Sequence, residues 1–118
     1  MLKFDHFEQI YLYRPFVDFR KSINGLCGVV VGEMDLDPFS NYLFIFMSKR
    51  RDRVKILYWD RTGFCLWYKR LEKEKYFWPK KLEEQKLVLT NEQLEWLLNG
   101  LNPWQMKPHQ ELKYQFEK

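Results

Sequence analysis

Between Lys49 and Leu71 the chain reads KRRDRVKILYWDRTGFCLWYKRL. Eight basic residues (Lys49, Arg50, Arg51, Arg53, Lys55, Arg61, Lys69, Arg70) stand there against two acidic ones, Asp52 and Asp60, a local charge of +6 in a chain that carries +4 overall. The rest of the chain is therefore slightly acidic, and the positive charge is concentrated. The cations are threaded through Tyr58, Trp59, Phe64, Trp67 and Tyr68. Cations set among flat rings suit a surface that grips a phosphate backbone and stacks on bases. Arg50, Arg51 and Arg53 fall at or beside a hairpin tip, where guanidinium forks reach phosphates or base edges. A two-stranded ribbon fits a major groove. Strand alternation puts Arg53, Lys55 and Trp59 on one face, which makes Trp59 the ring expected to stack. Arg61, Lys69 and Arg70 complete this set of expected DNA contacts. The competing reading is that most of the rings are core, as a small domain requires, and that the cations line a solvated loop.

A second basic pair, Arg20-Lys21, follows Asp18. If Asp18 caps a helix, both cations lie in its first turn, the end that already carries partial positive charge. A phosphate would satisfy the cations and the free amides together. An ion pair between Arg20 and Asp18 is the alternative.

Catalysis finds little support. Metal-assisted phosphoryl transfer needs carboxylates that converge on divalent ions. Asp18 reads as a cap, Asp37 as a turn residue before Pro38, and Asp60 as a turn opener. His6 and His109 have no Ser, Cys or acid at a telling spacing. Cys27 and Cys65 lack metal-ligand spacing and are expected to be buried free thiols. No catalytic residue, metal or cofactor is expected.

These side chains need a scaffold, and 118 residues supply one domain's worth. With 46% hydrophobic and 19% aromatic residues, the chain can build a core without disulfides. No apolar run approaches the ~20 residues of a membrane span, so a cytoplasmic location is expected, nucleoid-associated if DNA is bound. Residues 8–14 read as a strand stopped by Pro15. Ile23, Leu26, Cys27, Val30 and Val31 give a helical stripe, in which Gly25 and Gly28 suggest close packing against a neighbour. Residues 42–48, 53–60 and 64–71 follow as strands of an antiparallel meander. Gly63 is expected to take positive φ at the second turn. Residues 76–79 suggest a short edge strand, and 80–86 a charged connector. Thr90 and Gln93 form a capping box before the apolar face Leu94, Leu97, Leu98 and Leu101.

Three blocks carry a family resemblance. They are Asp18-Phe19-Arg20-Lys21-Ser22-Ile23-Asn24-Gly25-Leu26; Asp37-Pro38-Phe39-Ser40 leading into Leu43-Phe44-Ile45-Phe46; and Arg53-Val54-Lys55-Ile56-Leu57-Tyr58-Trp59-Asp60, continued by Gly63, Tyr68-Lys69-Arg70-Leu71-Glu72 and Phe77-Trp78-Pro79. In these the chain resembles the small TnpB-type accessory proteins of the insertion-sequence-66 family of bacterial transposable elements. The match covers roughly residues 10–101; Asn41 stands where relatives usually have glycine, and nothing matches after Pro103. The resemblance implies a role in transposition beside a separate, larger transposase.

The expected fold is therefore α+β: an antiparallel meander sheet with helices packed on one face, as a single domain over residues 1–102, with a C-terminal tail at 103–118. The expected function is a non-catalytic accessory protein of an insertion sequence, with DNA as its partner. The alternative is a protein-interaction subunit that docks the transposase or another accessory chain. No membrane or small-molecule substrate is expected.

Overall fold

The computed structural model describes residues 4–80 and 84–105. The expectations placed on residues 81–83 of the connector, on His109, and on the tail from Met106 onward lie outside the described residues.

The chain forms five strands: β1 (Gln9–Tyr13), β2 (Tyr42–Met47), β3 (Arg53–Asp60), β4 (Gly63–Arg70) and β5 (Lys86–Leu89), with β-branched and aromatic residues most concentrated in β1 and β2. They form one sheet in the order β4-β3-β2-β1-β5. Two helices accompany it, α1 (Ile23–Gly32) and α2 (Asn91–Leu98). The meander β2-β3-β4 is antiparallel, as the short connections require. β1 and β2 are parallel, because α1 carries the chain back to the end where β1 began.

The fold class holds, but the helices lie on opposite faces, not on one. Leu94, Leu97 and Leu98 of α2 pack with Leu12, Leu43, Ile45, Val54 and Ile56. Leu26, Val29 and Val30 of α1 pack with Tyr13, Phe44, Phe46 and Leu57. The reason lies in β2. Its YLFIFM sequence is apolar on both sides and buried from Leu43 to Met47, so each side needs its own cover.

Other details depart from the sequence reading. Residues 76–79 are not a strand. Tyr76 and Trp78 are buried core plugs, and Trp78 Nε1 donates to the Arg14 carbonyl at 2.7 Å. The outer strand is instead β5, where Leu87 and Leu89 turn inward and Val88 outward, and it pairs with β1. In α1 the N-cap is Ser22, four residues after Asp18; Val29 is buried in place of Val31, which is exposed. Gly25 does meet a close neighbour, since a Cβ there would lie 3.1 Å from the Lys21 side chain; Gly28 meets nothing. Cys27 and Cys65 are free but only half-buried. Positive φ at the β3–β4 turn belongs to Arg61 (48°), not to Gly63, because Gly63 already pairs with Asp60 as the first residue of β4.

At α2 the capping box forms as read. Gln93 N–H donates to Thr90 Oγ1 at 3.0 Å, and Thr90 N–H donates to Gln93 Oε1 at 2.9 Å. Thr90→Ala is expected to lower stability by about 1 kcal/mol, measured by urea unfolding followed by circular dichroism.

Candidate nucleic-acid interface

The turn from β2 to β3 is built rigidly. Ser48 is buried, its N–H donates to the Arg53 carbonyl, and its Oγ accepts from Arg53 N–H at 3.1 Å while donating to Asp52 Oδ1 at 3.2 Å. Arg51 N–H closes the turn on the Ser48 carbonyl at 2.9 Å. The carbonyls of Arg51 and Asp52 accept from Tyr76 and Leu71 N–H. Every backbone anchor thus faces inward, and Lys49 and Arg50 project into solvent from a fixed base. Arg51 sits at φ 62°, a left-handed conformation unusual for a residue other than glycine or asparagine.

The segment before α1 lies against this end of the sheet. Phe19 is its anchor. Arg53 Cζ lies 5.5 Å, and Lys55 Nζ 4.7 Å, from the Phe19 ring centroid. Lys55 Nζ also donates to the carbonyls of Phe19 (2.9 Å) and Lys21 (2.8 Å), which ties the segment to β3. Arg20 and Lys21 therefore ride above the strand that holds Arg53. Arg70 lies directly opposite Arg53 in the β3–β4 register. The structure thus brings Arg20, Lys21, Arg53 and Arg70 to one face at the end of the sheet that carries the Lys49–Arg51 turn. A cleft of about 390 Å³ lined by Phe16, Asp18, Phe19, Lys49 and Arg53 opens beside Arg53.

Three acids sit among these cations, two of them hydrogen-bonded to an arginine. Asp18 accepts from Arg20 N–H at 2.9 Å and from its guanidinium, closest at 2.6 Å. Arg70 Nε donates to Glu72 at 2.9 Å. Asp52 lies 3.5 Å from Arg53 Nε, too long and poorly aligned to count as a hydrogen bond. Asp18 does not cap α1, so Arg20 and Lys21 do not stand in its first turn to share a phosphate with its free amides, and the ion-pair alternative forms between Arg20 and Asp18.

Other expected contact residues are placed differently. Lys55 and Lys69 are structural: Lys69 Nζ donates to the Leu98 carbonyl at 2.9 Å, closing the end of α2. Arg61 and Trp59 lie at the other end of β3, about 20–25 Å away at ~3.3 Å per residue. Trp59 does share the α1-side face with Arg53 and Lys55. It packs against Phe39 and Phe64, each with ring centroids 5.0 Å away. The ring among the clustered cations is Tyr68, half-exposed, opposite Lys55 and 6.5 Å from Phe19. Tyr68 and Lys49 are noted in the basic aromatic run but left out of the expected contacts, Trp59 being the ring chosen. Two-residue periodicity links Tyr68 to Arg70 within β4 and was the available signal.

Hydrogen bonds from Arg20, side chain first and backbone second, hold the Asp18 carboxyl down at about 2. Its folded pKa is depressed, so this contact is present above the ordinary carboxylate range and is lost as pH falls through about 2. The expected result of carboxyl-carbon NMR is a midpoint near 2 that climbs toward the ordinary aspartate range in Arg20→Ala. An unmoved midpoint would exclude the Arg20 fork as the cause. Burial first, and then the Arg53 charge, lower the Lys55 ammonium below its usual value, consistent with its internal role.

The remaining acids are dispersed. Asp37 accepts from Phe39 N–H at 2.9 Å in its turn, and Asp60 lies at the far tip. Among the described residues no three of His, Cys, Asp and Glu gather to hold a metal ion.

The model of the IS66 Orf2-like protein family matches residues 8–108, which spans the whole sheet, both helices and the basic end. The chain belongs to the IS66 Orf2-like family. It is thus an insertion-sequence accessory protein, associated with the machinery of transposition. It is 36% identical over 86 residues, 73% of each chain, to the uncharacterized protein y4jC of Sinorhizobium fredii (strain NBRC 101917 / NGR234). It is 27% identical over 94 residues to the uncharacterized protein y4hO of the same strain, covering 80% of this chain and 81% of the relative. No solved structure matches the chain. Asn41 makes a bond that glycine lacks: its Nδ2 donates to the His6 carbonyl at 3.3 Å. No helix among the described residues is long and apolar enough to cross a membrane.

Proposed function

We propose that this accessory protein acts without catalysis, binding the DNA of its insertion sequence through the basic end of the sheet. Arg20, Lys21, Lys49, Arg50, Arg51, Arg53 and Arg70 contact the phosphates, with Tyr68 beside them. The single observation that carries the reading is the docking of the Phe19–Lys21 segment onto β3, which joins two basic runs distant in sequence on one surface. Two further features support it. Arg53 and Arg70 face each other across a strand pair, where like charges repel and folding gains nothing from both. Lys49 and Arg50 are exposed on the anchored β2–β3 turn, where both ammonium and guanidinium are open to a phosphate.

The test is duplex binding by fluorescence anisotropy over a salt series. Contact with ~5 phosphates gives a log–log slope near −4.5. Absence of binding at low salt would sink the reading.

A second reading is a subunit that docks the transposase, favoured by the exposed rings Phe16, Phe77 and Trp104. A pull-down decides for it if Trp104→Ala loses the transposase while DNA binding is intact.

A further inference from the structure

The far tip of the β3–β4 hairpin holds a second feature. The pairing of β3 with β2 ends at Leu57 opposite Phe44, while its pairing with β4 continues to Asp60 opposite Gly63. β2 begins at Tyr42, and the chain before it bends away. A cleft of about 590 Å³ opens in the gap, within the size range of small-molecule and nucleotide sites. Its apolar lining includes Phe39 and Trp59, whose rings meet edge to face at 5.0 Å. Phe39 is 57% exposed although it belongs to an aromatic triad with Trp59 and Phe64. Its polar lining includes His6, Asn41, Asp60 and Arg61.

Arg61 supplies an independent observation. It sits at φ 48°, where glycine or asparagine would be unstrained, and its side chain is 93% exposed, with Asp60 as its nearest acid at 3.9 Å. Nothing in the packing requires arginine there. Arg51 holds the same left-handed conformation at the turn on the opposite end of β3. The turns at both ends of β3 thus keep a strained arginine where a smaller residue folds more easily. A left-handed residue other than glycine points toward a use for its side chain.

We propose that this cleft takes one unpaired DNA base, stacked on the exposed Phe39 ring beside Trp59, with Arg61 on its phosphate. The inference rests on the DNA-binding reading above and adds the kind of DNA. The basic end grips duplex, and about 25 Å along β3 the aromatic end receives the first bases of a single strand. The chemistry fits an unpaired base. A ring face open to solvent stacks any base, a duplex offers its bases only edge-on, and the Asp60 carboxylate and Asn41 carboxamide at the rim match the exposed hydrogen-bonding edge of an unpaired base.

The experiment compares a blunt duplex with the same duplex carrying a short 3′ or 5′ overhang that contains 2-aminopurine. The expected result is tighter binding of one overhang by about ten-fold, the range that stacking of one base provides, with a change in 2-aminopurine emission. Phe39→Ala should abolish both differences and leave blunt-duplex affinity unchanged. Arg61→Gly guards against loss of fold. It relieves the left-handed conformation, so its melting temperature should hold or rise while the overhang preference falls. Equal affinity for blunt and overhang DNA overturns the inference and leaves the duplex reading standing. An overhang preference that survives both substitutions overturns the assignment to this cleft. Failure to bind either DNA at low salt overturns both readings.

Discussion

Replacing Arg53 and Arg70 together by glutamine is expected to weaken duplex binding about 50-fold at 0.1 M monovalent salt and to flatten the salt slope by about two units. Each lost phosphate contact removes about 0.9 from the slope, which at that salt is nearly ten-fold in affinity. The pair is chosen because its geometry separates function from folding. The two arginines are cross-strand partners in the β3–β4 register, so each lies in the field of the other. Neutralising them removes a like-charge repulsion and, with it, the Glu72 ion pair and the stacking of Arg53 on Phe19. These are exposed or half-exposed interactions of a few tenths to 1 kcal/mol each, and they offset the relief. Thermal stability should therefore stay within a few degrees of the parent. Anisotropy titration checks affinity, and a melt checks the fold. An affinity within three-fold of the parent, with the slope unchanged, would rule out this face as the phosphate contact.

The second large effect concerns the scaffold. Leu26→Ala in α1 and Leu97→Ala in α2 each remove a fully buried leucine and are expected to cost about 2–5 kcal/mol by urea unfolding. For a domain whose total stability is on the order of 5–15 kcal/mol, either loss is severe. The arrangement of helices adds a sharper expectation. The two leucines seal different cores on opposite sides of the sheet, on the order of 20 Å apart. Gentler truncations, Val30→Ala and Leu97→Val, combined in one chain should then add within about 0.5 kcal/mol. A coupling above 1 kcal/mol would mean that the helices share one core.

Much of the scaffold was legible in local pattern. The meander, the capping box at Thr90 and Gln93, and the apolar β2 all follow from residue periodicity and turn chemistry. Where reading failed, a non-local fact decided. Asp18 looks like a helix cap because it precedes an apolar stripe. In the fold it turns back on Arg20 instead, and the helix waits for Ser22. Lys86–Leu89 is a strand because β1 offers it an edge, and β1 lies more than seventy residues earlier. Tyr76 and Trp78 look like strand residues, but their bulk fills the α2-side core.

The candidate site divides in the same way. By itself the sequence determined its inventory: a concentrated basic charge, rings among the cations, and membership of a transposition family, since composition and motif order are properties of the linear chain. Only the tertiary structure decided which cations act together. Lys55 and Lys69 are indistinguishable from their neighbours in sequence, yet backbone carbonyls of Phe19, Lys21 and Leu98 claim their ammonium groups. Arg61 lies within the same basic run as Arg53 but at the opposite end of an eight-residue strand. Arg20 and Lys21, more than thirty residues away, come to lie beside Arg53 because Phe19 seats on the sheet. Charge is written one residue at a time, whereas a surface exists only after packing has chosen which side chains turn inward to satisfy buried carbonyls and which remain in water.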